Sequence, residues 1–225
     1  MDVQDVSAVD QFAALLKQAQ VNAERAGRRK GEIPKDHAPA FFQLQSYMLL
    51  YQHRLRKDDT RHHMIATQVP AAYPPSTRLA AELKPISISE MKLETHHRGR
   101  SIVVRVMVPA SRINAVLAIV EDDKGAATLL QVYYQPEEAV VPAEAILRRD
   151  CFYLIKEPFF KATTSDGSYS MRIDHPGDLM PLTDGDDLIP PKWRKSKSVF
   201  GTSNHFRMQG NEAVGKKSWA LAEEL

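Results

Sequence analysis

The chain has 225 residues, 43% of them hydrophobic and 26% charged, with a formal net charge of +2. That length bounds one main core with flanking pieces, and that composition excludes a disordered or collagen-like chain. The single Cys151 excludes an internally disulfide-stapled scaffold, and so small a net charge does not by itself imply a nucleic-acid or acidic-membrane partner. The N-terminus is polar and acidic (Asp2, Asp5, Asp10) without an apolar signal core, and no run has the apolar length of a membrane span. The expectation is an intracellular protein, in cytoplasm or nucleus, without membrane, cofactor or resident metal.

In chain order, Val9, Phe12, Leu16 and Ala19 recur at helical spacing, with Ser7 available as an N-cap. Arg25 to Gly31 interrupts this helix with two glycines and a basic cluster. A second helix follows with Phe41, Leu44, Met48, Tyr51 and Leu55 on one face, which could dock on another domain or build a small helical pair. Asp58 to Ser76 reads as a linker, extended at Pro74-Pro75. From about Lys84 the texture changes to period-two alternation. Strands are predicted at Ser101–Val108, Ile113–Glu121, Thr128–Gln135, Cys151–Glu157 and Ser168–Asp174, with a short helix at Pro142–Leu147. Turns fall at Asp122-Asp123-Lys124-Gly125 and Asp166-Gly167, and Pro158 marks an edge or bulge in the fourth strand.

Three meandering strands, a short helix and a hairpin give the order of a small five-stranded barrel of the OB type, so the expected class is α+β. The rival is an open α+β sheet with the N-terminal helices packed on it. The chain then divides into a helical region with linker (1–83), a β domain (84–183), a flexible connector (184–203) and a truncated helical stretch (204–225). The connector places Lys192, Arg194, Lys195 and Lys197 around Trp193, after Pro190-Pro191.

The last stretch resembles the first half of a tetratricopeptide repeat (TPR). Gly210 and Ala222 stand at the spacing of that repeat's two small positions, with Phe206, Asn211, Ala213 and Trp219 in register between them. Upstream, Leu93–Arg100 (LETHHRGR), Ile119–Gly125 (IVEDDKG), Ile155–Lys161 (IKEPFFK) and Asp166–His175 (DGSYSMRIDH) resemble the N-terminal portion of fungal proteins that join TPR repeats to a SET lysine methyltransferase domain. The resemblance implies methyl transfer, but the SET motifs that would perform it are absent from this chain, which is therefore expected not to be an enzyme.

Side chains with possible chemistry have plainer readings. His62-His63 and His96-His97 are adjacent pairs that would point to opposite faces of a strand, and no cysteine or acid stands at zinc spacing. Gly99 suits a loop-to-strand entry after His96-His97. Cys151 begins an apolar strand as a small core residue. Asp174-His175 lacks a nucleophile elbow and reads as a structural contact. No catalytic residue is therefore assigned. Two functions remain: a protein-interaction or regulatory module using the terminal helices, or a single-stranded nucleic-acid-binding barrel. In the second, Tyr133, Tyr134, Phe159, Phe160 and Tyr169 would stack bases, and Arg98, Arg100, Arg105, Lys156, Lys161 and Arg172 would supply charge. The oligomeric state is open.

Overall fold

A computed structural model of the chain describes residues 3–56, 71–163 and 166–194. By its contacts the chain divides into two compact units, residues 1–190 and 191–225. The first opens with helices α1 (Val3–Arg28) and α2 (Ala40–Arg56). Strands β1 (Lys84–Pro85), β2 (Thr95–His96), β3 (Arg100–Val106), β4 (Ser111–Arg112), β5 (Val116–Asp122) and β6 (Ala127–Val132) follow. After the short α3 (Ala143–Ile146) come β7 (Phe152–Lys156), β8 (Phe159–Ala162), β9 (Tyr169–Ile173) and β10 (Leu179–Leu182).

These strands form one mixed sheet in the order β10-β7-β3-β5-β6-β9-β8-β2, with β1 parallel beside β3 and β4 on β5. The alternation seen in the sequence is the cause: Ile102, Val104 and Val106 of β3 are buried together with Leu130, Ile155, Phe160, Met171 and Ile173. The β5–β6 turn closes because Gly125 takes φ 86, while buried Asp122 accepts the N–H groups of Ile88, Lys124 and Ala126 at 2.9, 3.0 and 2.9 Å.

The expected closed barrel does not form; the hydrogen-bonded order is open, from β10 to β2. The chain changes partners at Glu157-Pro158: β7 pairs with β3 and β8 with β9, and only these two residues separate β7 from β8. Glu157 N–H still donates to the Arg100 carbonyl at 2.8 Å, but Glu157 stands at φ 46 and Pro158 offers no N–H, so the strand is bent there into two rather than running on as one. The rival arrangement, an open sheet carrying the N-terminal helices, describes this unit.

The helices differ from expectation in detail. Ser7 lies inside α1 rather than at its cap. The stripe on α2 has the right direction, and Leu44, Met48 and Tyr51 pack on the core beside fully covered Tyr47. The sheet lies under the middle of the helix only, so Phe41 and Leu55 at its ends are 68% and 69% exposed. Among the described residues of the second unit, Pro191–Trp193 forms a single 3-10 turn, with the Lys192 ammonium 5.2 Å over the Trp193 ring. The repeat-like positions Phe206, Gly210, Asn211, Ala213, Trp219 and Ala222 lie outside the described residues, as do His62-His63. No described helix is long and apolar enough to cross a membrane.

Candidate functional site

Three features of the first unit stand out: a polar strap, a basic hollow and an apolar ridge. The strap is residues 71–76, the end of the segment expected to be a linker. The chain here is bound at Ala71, Tyr73, Pro74 and Ser76. Tyr73 N–H donates to Asp174 Oδ2 at 3.1 Å, its hydroxyl donates to the Arg172 carbonyl at 3.1 Å, and it accepts the Asp174 N–H at 3.2 Å. Ser76 N–H donates to Asp178 at 3.1 Å, and the His175 Nε2 bonds the Tyr73 carbonyl. The prolines cannot pair with a sheet, so side chains supply the acceptors instead. Arg172 grips Asp174 through Nε and Nη2, both at 2.7 Å, reaches the Ala71 carbonyl at 3.1 Å, and lies over the Tyr133 ring at 5.2 Å. Burial and nearby Asp174 and Asp178 push the Tyr73 hydroxyl well above the usual tyrosine range.

This arrangement consumes most of the residues expected to touch nucleic acid. Arg172 is buried against Asp174. Lys156 lies 3.8 Å from buried Asp178 and 3.5 Å from the Arg78 carbonyl. Burial and the Arg172 charge hold Lys161 below its ordinary value. Arg105 pairs with Glu121 at 3.1 Å. Three of the five aromatics are equally committed: Phe160 is core, Tyr133 lies under Arg172, and Tyr169 donates to Asp36 at 2.8 Å, while Tyr134 is half exposed. Asp174 and His175 both fasten the strap.

Only Arg98 and Arg100 come together at a concavity. They line a hollow of about 350 Å³ with Ile86, Glu90, Lys92, His96 and His97. The turn that builds it is fixed by Glu157, which accepts Arg98 Nη1 at 2.8 Å and Gly99 N–H at 2.7 Å, while Gly99 takes φ 72. Burial pushes the Glu157 carboxyl up, but those two donors outweigh it and hold it below the ordinary range. His97 is locked in one neutral tautomer: Nδ1 faces the Pro158 carbonyl at 3.1 Å and Nε2 accepts the Lys92 N–H at 3.0 Å. His96 sets its ring edge-on to Tyr73 at 4.3 Å, and its buried Nε2 has no hydrogen-bond partner in the structure. No group of three or more His, Cys, Asp or Glu able to hold a metal occurs among the described residues.

The third feature is the outer side of α2, where Phe42, Leu49 and Leu50 are more than half exposed, with the overhanging Phe41 and Leu55 of the sheet-facing stripe exposed at the helix ends. Two depressions flank it. One, of about 360 Å³, runs between Phe41, Leu44 and Met48 and the Met107–Pro109 segment. The other, of about 370 Å³, lies between α2 and the β8–β9 hairpin, with Phe42, Leu50, Ile119 and Leu129 in its walls and Asp36, Asp166 and Tyr169 on its rim. Asp36 is drawn down to about 2 by the Arg29 guanidinium and the Tyr169 hydroxyl. Asp166 is held by Thr163 and by the Ser168 hydroxyl and N–H. The sequence reading missed this trough because it joins a loop, a helix face and a hairpin far apart in the chain. The adjacent apolar pair Phe41-Phe42 was its one visible sign, since adjacent helical positions cannot both face the same sheet.

No family model matches the chain. A curated protein named "Methyltransferase" from Gibberella zeae is 46% identical to it over 226 residues, covering 100% of this chain and 29% of that protein. The chain thus spans less than a third of that relative's length and is similar to one part of a larger fungal protein of that name. Among solved structures, the OB domain of Ta0387 from Thermoplasma acidophilum is similar with a TM-score of 0.35 and 11% identity, over 48% of this chain and 95% of that one.

Proposed function

We propose that this chain is a non-catalytic protein-interaction module of a methyltransferase-like protein, which holds an apolar and basic protein segment along the outer ridge of α2. The observation that carries the reading is the exposure of Phe42, Leu49 and Leu50 on a helix whose other side is docked on the sheet. Contiguous exposed apolar surface of this kind marks interaction sites. Charge selects the partner: Asp36 and Asp166 stand on the trough rim beside Phe42 and Leu50, and only Asp36 has a cation partner among the described residues. A lysine or arginine flanked by apolar side chains fits that rim.

The finer assignment, to the N-terminal portion of TPR/SET lysine methyltransferase-like proteins, is part of the proposal. It rests on the quoted segments from Leu93 to His175 and on the TPR-like spacing from Phe206 to Ala222, and the relative's name is compatible with it. On this reading the chain alone transfers no methyl group from S-adenosylmethionine to histone or peptide. A radiolabel assay with turnover above a heat-treated control would contradict that.

The docking reading is tested with two labelled amphipathic peptides of equal length, one leucine–lysine and one leucine–glutamate. Fluorescence anisotropy should show the basic peptide binding, with loss in Leu50→Asp and weakening in Asp166→Asn. No binding up to about 1 mM, or binding indifferent to Leu50→Asp, would remove the ridge as the docking surface. Nucleic-acid binding is the second reading, favoured only by the basic hollow.

A further inference from the structure

The hollow at the β2–β3 turn has an unbalanced charge. Its single carboxylate, Glu90, already accepts the Ser87 hydroxyl at 2.6 Å and lies 3.4 Å from Lys124, and these donors hold it near 2. Arg98 is matched by Glu157 at 2.8 Å. Lys92 and Arg100 have no carboxylate partner among the described residues, and both are exposed at the same concavity. Arg100 is steadied by the Pro85 carbonyl at 3.3 Å, so its guanidinium is held near the hollow. Two unmatched cations facing one hollow repel, and an anion placed between them relieves that repulsion. His96 also lines the hollow, and its Nε2 is buried behind that lining without a hydrogen-bond partner in the structure.

We infer that this hollow is a binding site for a phosphate-class oxyanion. The chemistry follows from the lining: a planar guanidinium offers paired N–H groups to two oxygens of a tetrahedral anion, and an ammonium adds a point charge. The volume of about 350 Å³ admits a diphosphate as readily as one phosphate. Bases are not recognised by stacking here. None of the five rings expected to stack on a single strand lines the hollow: Phe160 is core, Tyr133 lies under Arg172, Tyr169 is on the Asp36 side, and Phe159 meets His96 edge-on at 6.1 Å from behind the lining. The ligand is held by charge and hydrogen bonds alone, and its affinity falls as salt rises.

The experiment titrates the full chain with inorganic phosphate, pyrophosphate and a short oligothymidylate at low salt, following backbone amide shifts. Pyrophosphate is expected to move the amides of Lys92 and of Arg98 to Arg100 with a Kd of about 1 mM or tighter, and phosphate to move the same amides more weakly. Lys92→Ala and Arg100→Ala, both at exposed positions, should each weaken pyrophosphate by about tenfold, since one charge-assisted contact is lost in each. Lys17→Ala on α1 should leave it unchanged. Any oligothymidylate binding should be displaced by pyrophosphate. No shift at the hollow, affinity unchanged in both variants, or oligothymidylate bound and not displaced would each overturn the inference.

Discussion

Glu157 is 3% exposed, stands at φ 46 and accepts two hydrogen bonds from the β2–β3 turn. Removing its carboxylate leaves Gly99 N–H and Arg98 unmatched, so Glu157→Ala should destabilise by about 2 kcal/mol, read by urea unfolding, and Glu157→Gln by less. His97 adds a pH dependence whose sign is set by its lock. Both ring nitrogens are committed in the neutral form, and burial lowers its affinity for a proton below the ordinary 6.5. The unfolded chain binds that proton first, so stability is full above pH 6.5 and falls as pH drops below it. His37 and His96, also lowered chiefly by burial, act in the same direction. Stability should therefore decline as pH falls below about 6.5, and His97→Gln, which can still donate and accept, should flatten the slope. An NMR titration placing His97 at or above 6.5 would contradict the lock.

The strap shows how an element without secondary structure is held. Residues 71–76 contain Pro74 and Pro75, so their order depends on Asp174, Asp178 and the Tyr73 hydroxyl. Tyr73→Phe removes the bond to the Arg172 carbonyl and leaves the buried Asp174 N–H without its acceptor, a loss of about 1–2 kcal/mol. Asp174→Asn breaks the paired bonds from Arg172 and should free the strap. The measurement is limited trypsin digestion: cleavage after Arg78, two residues past the strap, should be faster in Asp174→Asn than in the native chain. An unchanged rate would mean that the strap is held by packing rather than by these carboxylates. Acid probes the same element with mixed sign. Burial raises the Asp178 carboxyl, so its ionisation opposes folding, while the depressed carboxylates Asp36, Glu90 and Glu157 favour folding above the ordinary carboxylate range.

At the scale of the molecule, α1, α2, the strap and the sheet belong to one unit, residues 1–190. α2 covers β5 and β6, and α1 lies against β8. Tyr47 locks the first contact, its hydroxyl within 2.9 Å of the Pro109 carbonyl and 2.8 Å of the Leu117 carbonyl. Thermal unfolding of this unit should be a single transition. Deleting residues 1–56 would expose Ile119 and Leu129 on the sheet, so the remainder should melt at lower temperature or aggregate. A soluble fragment with an unchanged Tm would show that the sheet folds without its helices.

Local pattern determined much of this protein from the sequence alone. Alternation placed β3, β5, β6, β7 and β9, the Asp122–Gly125 turn joined the right strands, and Pro158 marked the corner, because each depends on a few adjacent residues; the Asp166-Gly167 turn leads into β9 as expected but joins it to β8 rather than to β7. β8, only Phe159–Ala162, was too short to register once Pro158 had been read as the end of a strand. Four things depended on packing between distant residues: the open order of the sheet, the docking of 71–76 on Asp174 and Asp178, the pairing of Glu157 with Arg98, and the overhang of Phe41 and Leu55. A basic residue reads the same whether it faces solvent or a buried carboxylate. The tertiary structure alone separated Arg172 and Lys156, bound inward, from Lys92 and Arg100, left facing the hollow, because a charge is neutralised by what lies within a few ångströms in space rather than along the chain.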